Sequence, residues 1–280
     1  MSVVVAVLSL IFVVQRFKSE RIDLSQIEWP ATSFQVIGLV VLLMLLNWSL
    51  EAWRWSISIQ VFEKVSFLQS LRTVLMGLAM NWVLPLTSGD ALSRLMEQSD
   101  KHKTAAALVL NRAVMLSITC TYGLIALVHY GQVRLELNLV FPILLILSLV
   151  VFVLLRKHFT RFWSYFHHMR RHDLIGIVGI SLIRYAVFVF QFFLVLRLFL
   201  PELTTTVLLL GIGWIFFFRS ILPSIFGGFG VREASGLIFF ASANPTSVII
   251  PIFIIWIVNS AIPSLLGAVA IWTMRVPSNT

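Results

Sequence analysis

The distribution of apolar residues is the feature that most constrains this fold. Of the 280 residues, 59% are hydrophobic and 12% are charged, whereas roughly a quarter of an ordinary soluble domain is charged. A water-soluble globular protein is therefore excluded, and the bilayer is the expected solvent. The apolar stretches cover about 2–15, 34–50, 68–84, 105–130, 138–156, 174–200, 203–222 and 246–273, with a shorter one at 234–243.

Two of these stretches end in the same pattern. Leu84-Pro85 and Leu222-Pro223 are each followed, after three further residues, by a glycine, Gly89 or Gly227. Proline has no backbone N–H and disfavours helix in the residue before it. We therefore predict two helix breaks at membrane depth, where polar backbone is tolerated only if protein or a cavity surrounds it.

The two breaks also suggest an internal repeat. Pro85 and Pro223 lie 138 residues apart, and a shift of that length places apolar stretches of the first half on apolar stretches of the second. We predict an all-α polytopic membrane protein with two inverted repeats, residues 1–136 and 137–280, each with three crossing helices and one re-entrant broken hairpin. The alternative to a repeat is that apolar segments separated by loops match one another by chance.

Loop charges predict the orientation. Cytoplasmic loops of membrane proteins are enriched in Lys and Arg, and segment 156–173 carries five of them. That places this segment and 51–104, with Arg54 among its basic residues, on the cytoplasmic side of a cell membrane, together with both termini. Loop 16–33 fits poorly, because its three basic residues fall on the predicted outer side.

Arginines inside apolar segments are the strongest functional signal. Inserting an arginine at mid-bilayer costs roughly 2.5–3.5 kcal/mol on insertion scales. The acidic residues in the same regions are Asp90 and Glu233. Arginine suits bidentate binding of phosphate, so the excess predicts an anionic ligand such as a lipid phosphate. The alternative, which we favour for Arg197, is that an arginine reaches the interface or bonds to backbone carbonyls. The arginines concerned are Arg72, Arg94, Arg112, Arg184, Arg219 and Arg232.

The glycines of the second break add backbone donors. Helix N-termini attract anions, and glycines allow a headgroup to approach the backbone, although they also relieve tight turns and close helix packing. We predict no catalytic residue, cofactor or metal site. The predicted substrate-binding residues are Asp90, Arg94, Arg112, Arg219, Gly227, Gly228, Gly230, Arg232 and Glu233.

These motifs carry a family resemblance over nearly the whole chain. The pattern Asn81-x-x-Leu84-Pro85-x-x-x-Gly89-Asp90-x-x-x-Arg94, the pair Asn111-Arg112, the stretch Ala52-Trp53-Arg54-Trp55 and the string Leu222-Pro223-x-x-x-Gly227-Gly228-x-Gly230-Val231-Arg232-Glu233-Ala234 resemble the transmembrane region of lysylphosphatidylglycerol synthase and its flippase-like relatives. Asp90 departs from the expected Glu. In larger members this region is fused to a soluble domain that transfers an aminoacyl group from tRNA to phosphatidylglycerol, and we expect this chain to lack that domain. The resemblance then implies translocation of a lipid with a phosphate-bearing headgroup.

Three functions remain open on the sequence. The favoured one is a non-enzymatic flippase-like protein whose partners are an anionic membrane lipid and the bilayer. The second is an enzyme acting on a lipid phosphate, with Asp90 or Glu233 as general base. The third is a non-catalytic membrane subunit that serves a separately encoded synthase, and a homodimer is compatible with any of them. Nucleic acid is excluded as a partner, because the arginines are scattered through apolar segments.

Two further patterns receive ordinary interpretations. His168 and Asp173 form a His-x4-Asp pair like that of glycerolipid acyltransferases, but short motifs of this kind arise by chance. The histidines of that segment are interpreted as a solvated face on anionic headgroups. Trp48, Trp53, Trp55 and Trp82 are predicted to lie in the membrane interface.

Overall fold

A computed structural model describes residues 29, 32–84, 88–130, 165–222 and 230–272 of the chain. Within these ranges the protein is helical and contains no strand, which confirms the all-α fold. The helices are α1 Ser33–Gln60, α2 Phe67–Val83, α3 Ser88–Glu97, α4 Lys101–Tyr130, α5 Arg171–Phe199, α6 Thr205–Ile221, α7 Val231–Phe239, α8 Pro245–Trp256 and α9 Ile262–Trp272, with a π-helical segment Ile257–Ala261 between the last two.

Four helical segments are long and apolar enough to cross a membrane. They are Ser33–Gln60, Lys101–His129, Arg171–Phe199 and Pro245–Trp272, and Thr205–Ile221 is a shorter apolar helix. The chain is therefore a multi-pass membrane protein. The predicted spans at 2–15 and 138–156 lie outside the described residues, as does the first half, 156–164, of the basic segment 156–173.

Local sequence explains where several helices begin. Ser66 and Gln69 form a reciprocal capping box at the start of α2, and the Thr204 hydroxyl accepts from the Val207 N–H at the start of α6. Asn244 caps α8 by accepting from the Thr246 N–H, and Pro245 occupies the first turn. Such side chains satisfy N–H groups that a helix leaves unpaired at its N-terminus.

The two Leu-Pro patterns do end helices. α2 ends at Val83 and α6 at Ile221, and Leu84 and Leu222 both have extended backbone, with ψ of 135° and 132°, as a following proline requires. Each is followed by a short helix that turns back. Asp90 N donates to Asn81 Oδ1 between α2 and α3, and Trp214 Nε1 donates to Ser235 O between α6 and α7.

The helix bounds bear on the predicted repeat. α1 and α5 begin at Ser33 and Arg171, 138 residues apart, and α2 and α6 begin at Phe67 and Thr205 with the same separation. This agrees with the spacing of the two Leu-Pro pairs. The inversion of the halves stays a prediction, and the boundary between residues 136 and 137 lies outside the described residues.

Helices α1 and α5 form the contact on which the site is built. They run antiparallel, with Gln191 Nε2 of α5 donating to Val40 O of α1 and Arg54 of α1 donating to Ser181 of α5. Most of the largest apolar core lies on α5, α6, α7 and α8, and a second core surrounds Trp55 and Tyr165. The polar residues described next lie where α1, α3, α4 and α5 meet.

Candidate functional site

A buried carboxylate, Glu51 of α1, lies at the centre of an ion-pair network. Its Oε1 accepts from Arg94 Nη2 at 2.7 Å, and its Oε2 accepts from Arg54 Nη2 at 2.5 Å and lies 3.1 Å from Arg184 Nη1. Three helices, α1, α3 and α5, therefore supply guanidinium groups to one acid. The Glu51 side chain is only 5% exposed. Because little water reaches it, the carboxylate is stabilised mainly by its ion pairs with the arginines.

Asp90 extends the network toward the surface. It accepts from Arg94 Nε at 2.9 Å, and its other oxygen lies 3.7 Å from Arg112 Nη2 of α4. The side chain of Arg94 is 4% exposed, that of Asp90 25% and that of Arg112 53%. We call the set Glu51, Arg54, Asp90, Arg94, Arg112 and Arg184 the Glu51 cluster.

Aromatic rings pack against the same guanidinium groups. The Arg94 guanidinium carbon lies 4.4 Å from the ring centroid of Trp55, and that of Arg184 lies 5.3 Å from the ring centroid of Trp48. Trp48 and Trp55 lie on the face of α1 that carries Glu51, because residues three, four and seven apart share a helix face. Cation–π contacts of this kind are attractive, most of all where water is excluded.

Backbone packing of the first hairpin fixes the position of Asp90 and Arg94. A Cβ on Gly89 would lie 2.4 Å from the Asn81 nitrogen, and a Cβ on Gly77 would lie 2.8 Å from Asp90 Cα. Only glycine allows α2 and α3 to approach so closely. The Asn81 side chain then accepts from the Asp90 N–H, which holds the first turn of α3 against α2.

Hydrogen bonds to neighbouring helices anchor Arg54. Its Nη1 donates to Ser181 Oγ at 3.1 Å and contacts Asn111 O at 3.5 Å. Asn111 in turn donates to Ser58 Oγ, and Tyr165 donates to Ser58 O. The network thus joins α1, α4 and α5 to the helical residues 165–168.

The second hairpin carries a smaller charged group. Glu233 Oε2 accepts from the Gly230 N–H at 2.7 Å, and Arg219 and Arg232 both interact electrostatically with Glu233. Arg232 and Glu233 are 1% and 2% exposed. Gly230 has a φ of 90°, which favours glycine at this helix start. We call Arg219, Arg232 and Glu233 the Glu233 group.

Helix α5 lies between the two sets of charges. Arg184 belongs to the Glu51 cluster, and the next residue, Tyr185, interacts electrostatically with Arg219 of the Glu233 group. The ion pairs described above all join members of the Glu51 cluster to one another. The predicted site residues therefore fall into two neighbouring sets, with Asp90, Arg94 and Arg112 in the first and Arg219, Gly230, Arg232 and Glu233 in the second. Gly227 and Gly228 lie outside the described residues.

The structure corrects three sequence interpretations. Glu51 was missing from the predicted site, because the apolar stretch ends at residue 50 and the helix continues to Gln60. Arg54, counted with the cytoplasmic charges, is a buried helical residue at 4% exposure. Trp55 is fully buried in place of lying in the interface, whereas Trp53 is 53% and Trp82 43% exposed. The spacing of Glu51 and Arg54, one helical turn apart, was the signal that could have found this pair.

Two arginines outside the site behave as backbone-bonding side chains. Arg197 Nη1 donates to Leu203 O near the end of α5, which confirms the interpretation favoured for it. Arg72 Nη2 contacts Ala270 O of α9 at 3.5 Å. Neither is a member of the two charged sets.

Comparison with known protein families identifies the family to which this chain belongs. The family described as "Lysylphosphatidylglycerol synthase TM region" matches residues 1–267. The chain belongs to this family. No curated protein and no solved structure matches it. As a member of this family, the chain is a membrane protein of lipid metabolism.

Proposed function

We propose that this family member is a non-enzymatic lipid-translocation protein of the cell membrane, and that it binds an anionic, phosphate-bearing headgroup. The single observation that carries the proposal is the charge of the Glu51 cluster. Among the described residues, four guanidinium groups of this cluster face two carboxylates, so arginines outnumber acids there. A lipid phosphate supplies the missing charge and accepts the bidentate hydrogen bonds that arginine donates best.

The Glu233 group supports the same conclusion. In the described part of the chain, its two arginines face one acid, so this group too has more arginines than acids. A charge in the membrane is expensive unless it is paired, and both sets are built on helices of a membrane protein. An anion that moves between them along α5 would be attracted by each in turn.

The partial exposure of the Glu51 cluster makes it the first contact for an incoming lipid headgroup. Arg112 is half exposed and Arg184 has 15% exposure, while Arg54 and Arg94 are almost completely buried. A headgroup that approaches from the edge would meet Arg112 and Arg184 before it reaches Glu51. The carboxylates Glu51 and Asp90 are engaged by arginines, which is why the proposal includes no general base.

The test measures translocation by the purified full chain in vesicles that contain fluorescent phosphatidylglycerol. Arg112→Gln removes a charge at the exposed edge of the cluster, and we expect the initial rate to fall roughly tenfold, since a hydrogen bond to a charged group is worth about 1.5–3 kcal/mol. Arg197→Gln is the matched control, because it removes an arginine that bonds to a backbone carbonyl away from the site. Equal rates in the wild-type protein and protein-free vesicles would contradict the proposal.

A further inference from the structure

A groove of about 220 Å³ lies beside the start of α5. Its lining comes from α4, from the segment that precedes α5 and from the first turn of α5. Four of the six lining side chains are apolar, and the other two are neighbouring arginines. We call this the α5 groove, lined by Leu110, Phe166, Met169, Arg170, Arg171 and Leu174.

The α5 groove lies at the level of lipid headgroups. The 29 residues of α5 extend over about 43 Å, which matches the thickness of a bilayer with its headgroups. Arg170 and Arg171 at the start of this helix are exposed. Leu174 and the following Ile175 are 41% and 70% exposed, so the apolar part of the groove continues into a surface that faces acyl chains.

The groove is separate from the Glu51 cluster, although Leu110 is close to Arg112 in the sequence. Successive residues of an α-helix are about 100° apart, so these two side chains lie on nearly opposite sides of α4. Asn111, between them, faces α1, where it donates to Ser58 Oγ at 2.9 Å. A molecule in the groove therefore lies across α4 from the contact between Arg112 and Asp90.

The charges at the groove favour an anionic headgroup. The acid of the same helical turn, Asp173, accepts from the Arg170 backbone N–H at 3.3 Å through Oδ2, and its Oδ1 lies 3.8 Å from His172 Nδ1. Its two oxygens are thus directed to a backbone group and a histidine. The exposed guanidinium groups of Arg170 and Arg171 attract a headgroup with a net negative charge more strongly than a zwitterionic one.

The apolar lining favours a lipid over a soluble anion. Each buried methylene strengthens binding roughly fourfold, and a free phosphate has none to bury. A phospholipid at this depth can place its headgroup beside the two arginines while its acyl chain contacts the apolar side chains. The groove therefore offers both of the surfaces that a phospholipid needs, one for each end of the molecule.

We propose that the α5 groove is a binding site for an anionic phospholipid, whose acyl chain lies along the four apolar residues and whose headgroup binds Arg170 and Arg171. The bound lipid joins α4 to α5 at one end of the bundle, and it is a different molecule from the lipid that reaches the Glu51 cluster. The inference goes beyond the proposed function and does not depend on translocation.

Photo-crosslinking of the full chain in phosphatidylcholine vesicles tests the site. The probe is a trace of phosphatidylglycerol with a diazirine on its acyl chain, and the adducts are mapped by peptide mass spectrometry. We expect the groove residues to be labelled roughly tenfold more than Leu42, a 64% exposed residue of α1. Unlabelled phosphatidylglycerol should compete roughly tenfold better than added phosphatidylcholine, and inorganic phosphate should not compete. Labelling no stronger than at Leu42, equal competition by the two lipids, or competition by phosphate would overturn the inference.

Replacing both arginines tests the headgroup contact. Arg170→Gln combined with Arg171→Gln should weaken binding of the probe roughly fivefold for each arginine removed. Arg197→Gln is the matched control, because it removes an arginine near the other end of the same helix, where it bonds to a backbone carbonyl. Labelling of the groove that is unchanged in the double variant would overturn the inference.

Filling the groove tests the acyl-chain contact with both arginines intact. Leu174→Trp places a larger side chain in the lining and should abolish most of the labelling at Leu110, Phe166 and Met169. Ile175→Trp, at the 70% exposed next position and outside the lining, is the matched control and should keep it. Labelling that survives Leu174→Trp at the level of the control would show that the chain lies elsewhere and would overturn the inference.

Failure of the two proposals is distinguishable. Selective labelling of the groove that the double arginine variant loses, in a protein that moves no lipid in vesicles, contradicts translocation and supports the lipid site. Translocation that Arg112→Gln slows, in a protein without selective labelling of the groove, supports the proposed function and contradicts the lipid site.

Discussion

The two helical hairpins carry the same kind of residue in different electrostatic surroundings. Arg94 of the first hairpin and Arg232 of the second lie 138 residues apart, and both are buried, at 3% and 1% exposure. Arg94 bonds two carboxylates, one of them on another helix. Arg232 interacts with Glu233, the adjacent residue of its own helix, and with Arg219.

The positions of Glu51 and Glu233 explain why the two arginines have different surroundings. Glu51 reaches Arg94 from α1 and so joins the first hairpin to the helices around it, whereas Glu233 directs one oxygen to the Gly230 N–H at the start of its own helix. The ion pair with Glu51 therefore attaches the first hairpin to α1, in addition to its close packing against Gly267 of α9, whereas the second hairpin packs against α8, as at Gly236 and Ile252. This contrast predicts that equivalent substitutions have unequal effects.

Replacing the central acid should produce the largest change. Glu51→Gln leaves three arginines without their shared carboxylate, and breaking a buried ion pair typically costs about 3–5 kcal/mol. Glu233→Gln is the matched substitution in the second hairpin, and we expect a smaller loss of about 1–3 kcal/mol, the range for an unsatisfied buried group. Reversible unfolding in mixed micelles measures both. Equal losses would show that Glu51 is not the acid on which the bundle depends.

Arg94→Lys should give the next largest effect. Lysine keeps the positive charge but cannot present Nε and Nη2 to two acids while stacking on Trp55, so we expect a loss of roughly 2 kcal/mol. Arg232→Lys provides the comparison, with a smaller effect expected because Glu233, the acid with which Arg232 interacts, lies next to it on the same helix. A double-mutant cycle of Arg94→Lys with Asp90→Asn isolates the pair, and we expect a coupling of about 0.5–3 kcal/mol. A coupling of zero would contradict the contact.

These contrasts also show how far sequence alone could lead. The Leu-Pro pairs predicted both helix ends, because proline acts locally on the residue before it. Hydropathy located the spans that the structure describes, and the excess of arginines over acids in apolar segments pointed to Arg94 and Arg112, which the structure places in the Glu51 cluster. The role of Glu51 could not be read in the same way, because its partners lie on three helices and its own helix extends beyond the apolar stretch. Three-dimensional packing, not local pattern, brings those charges together.

Backbone contact in the first hairpin can be tested at Gly89. A Cβ there would lie 2.4 Å from backbone atoms of Met80 and Asn81, so Gly89→Ala must move α2 away from α3, with an expected loss of about 1–3 kcal/mol. Gly38→Ala on α1 is the control, because its Cβ meets nothing within 4 Å, and helix propensity should make it neutral or slightly stabilising. If Gly89→Ala melts at the control's temperature, the close approach of the two helices is wrong.

The smallest effect is expected at Asp100, where the first hairpin passes into α4. Asp100 Oδ1 accepts from the backbone N–H groups of His102 and Lys103 at 3.1 Å each, and the Lys103 N–H is the main cause that lowers the pKa of Asp100. Asp100→Ala should lower the free energy of unfolding by about 1 kcal/mol, the usual value of such a cap.

The stabilisation by Asp100 should also depend on pH. Because the pKa of Asp100 is lower in the folded than in the unfolded protein, the stabilisation is present above the unfolded pKa and is lost as pH falls through the folded pKa. Melting temperatures of the variant and wild type should therefore differ at pH 7 and converge at acid pH. The cap acts within one helix, so Asp100→Ala should leave the rate of lipid translocation in vesicles unchanged. A lower rate would show instead that the start of α4 controls the position of Arg112 in the Glu51 cluster.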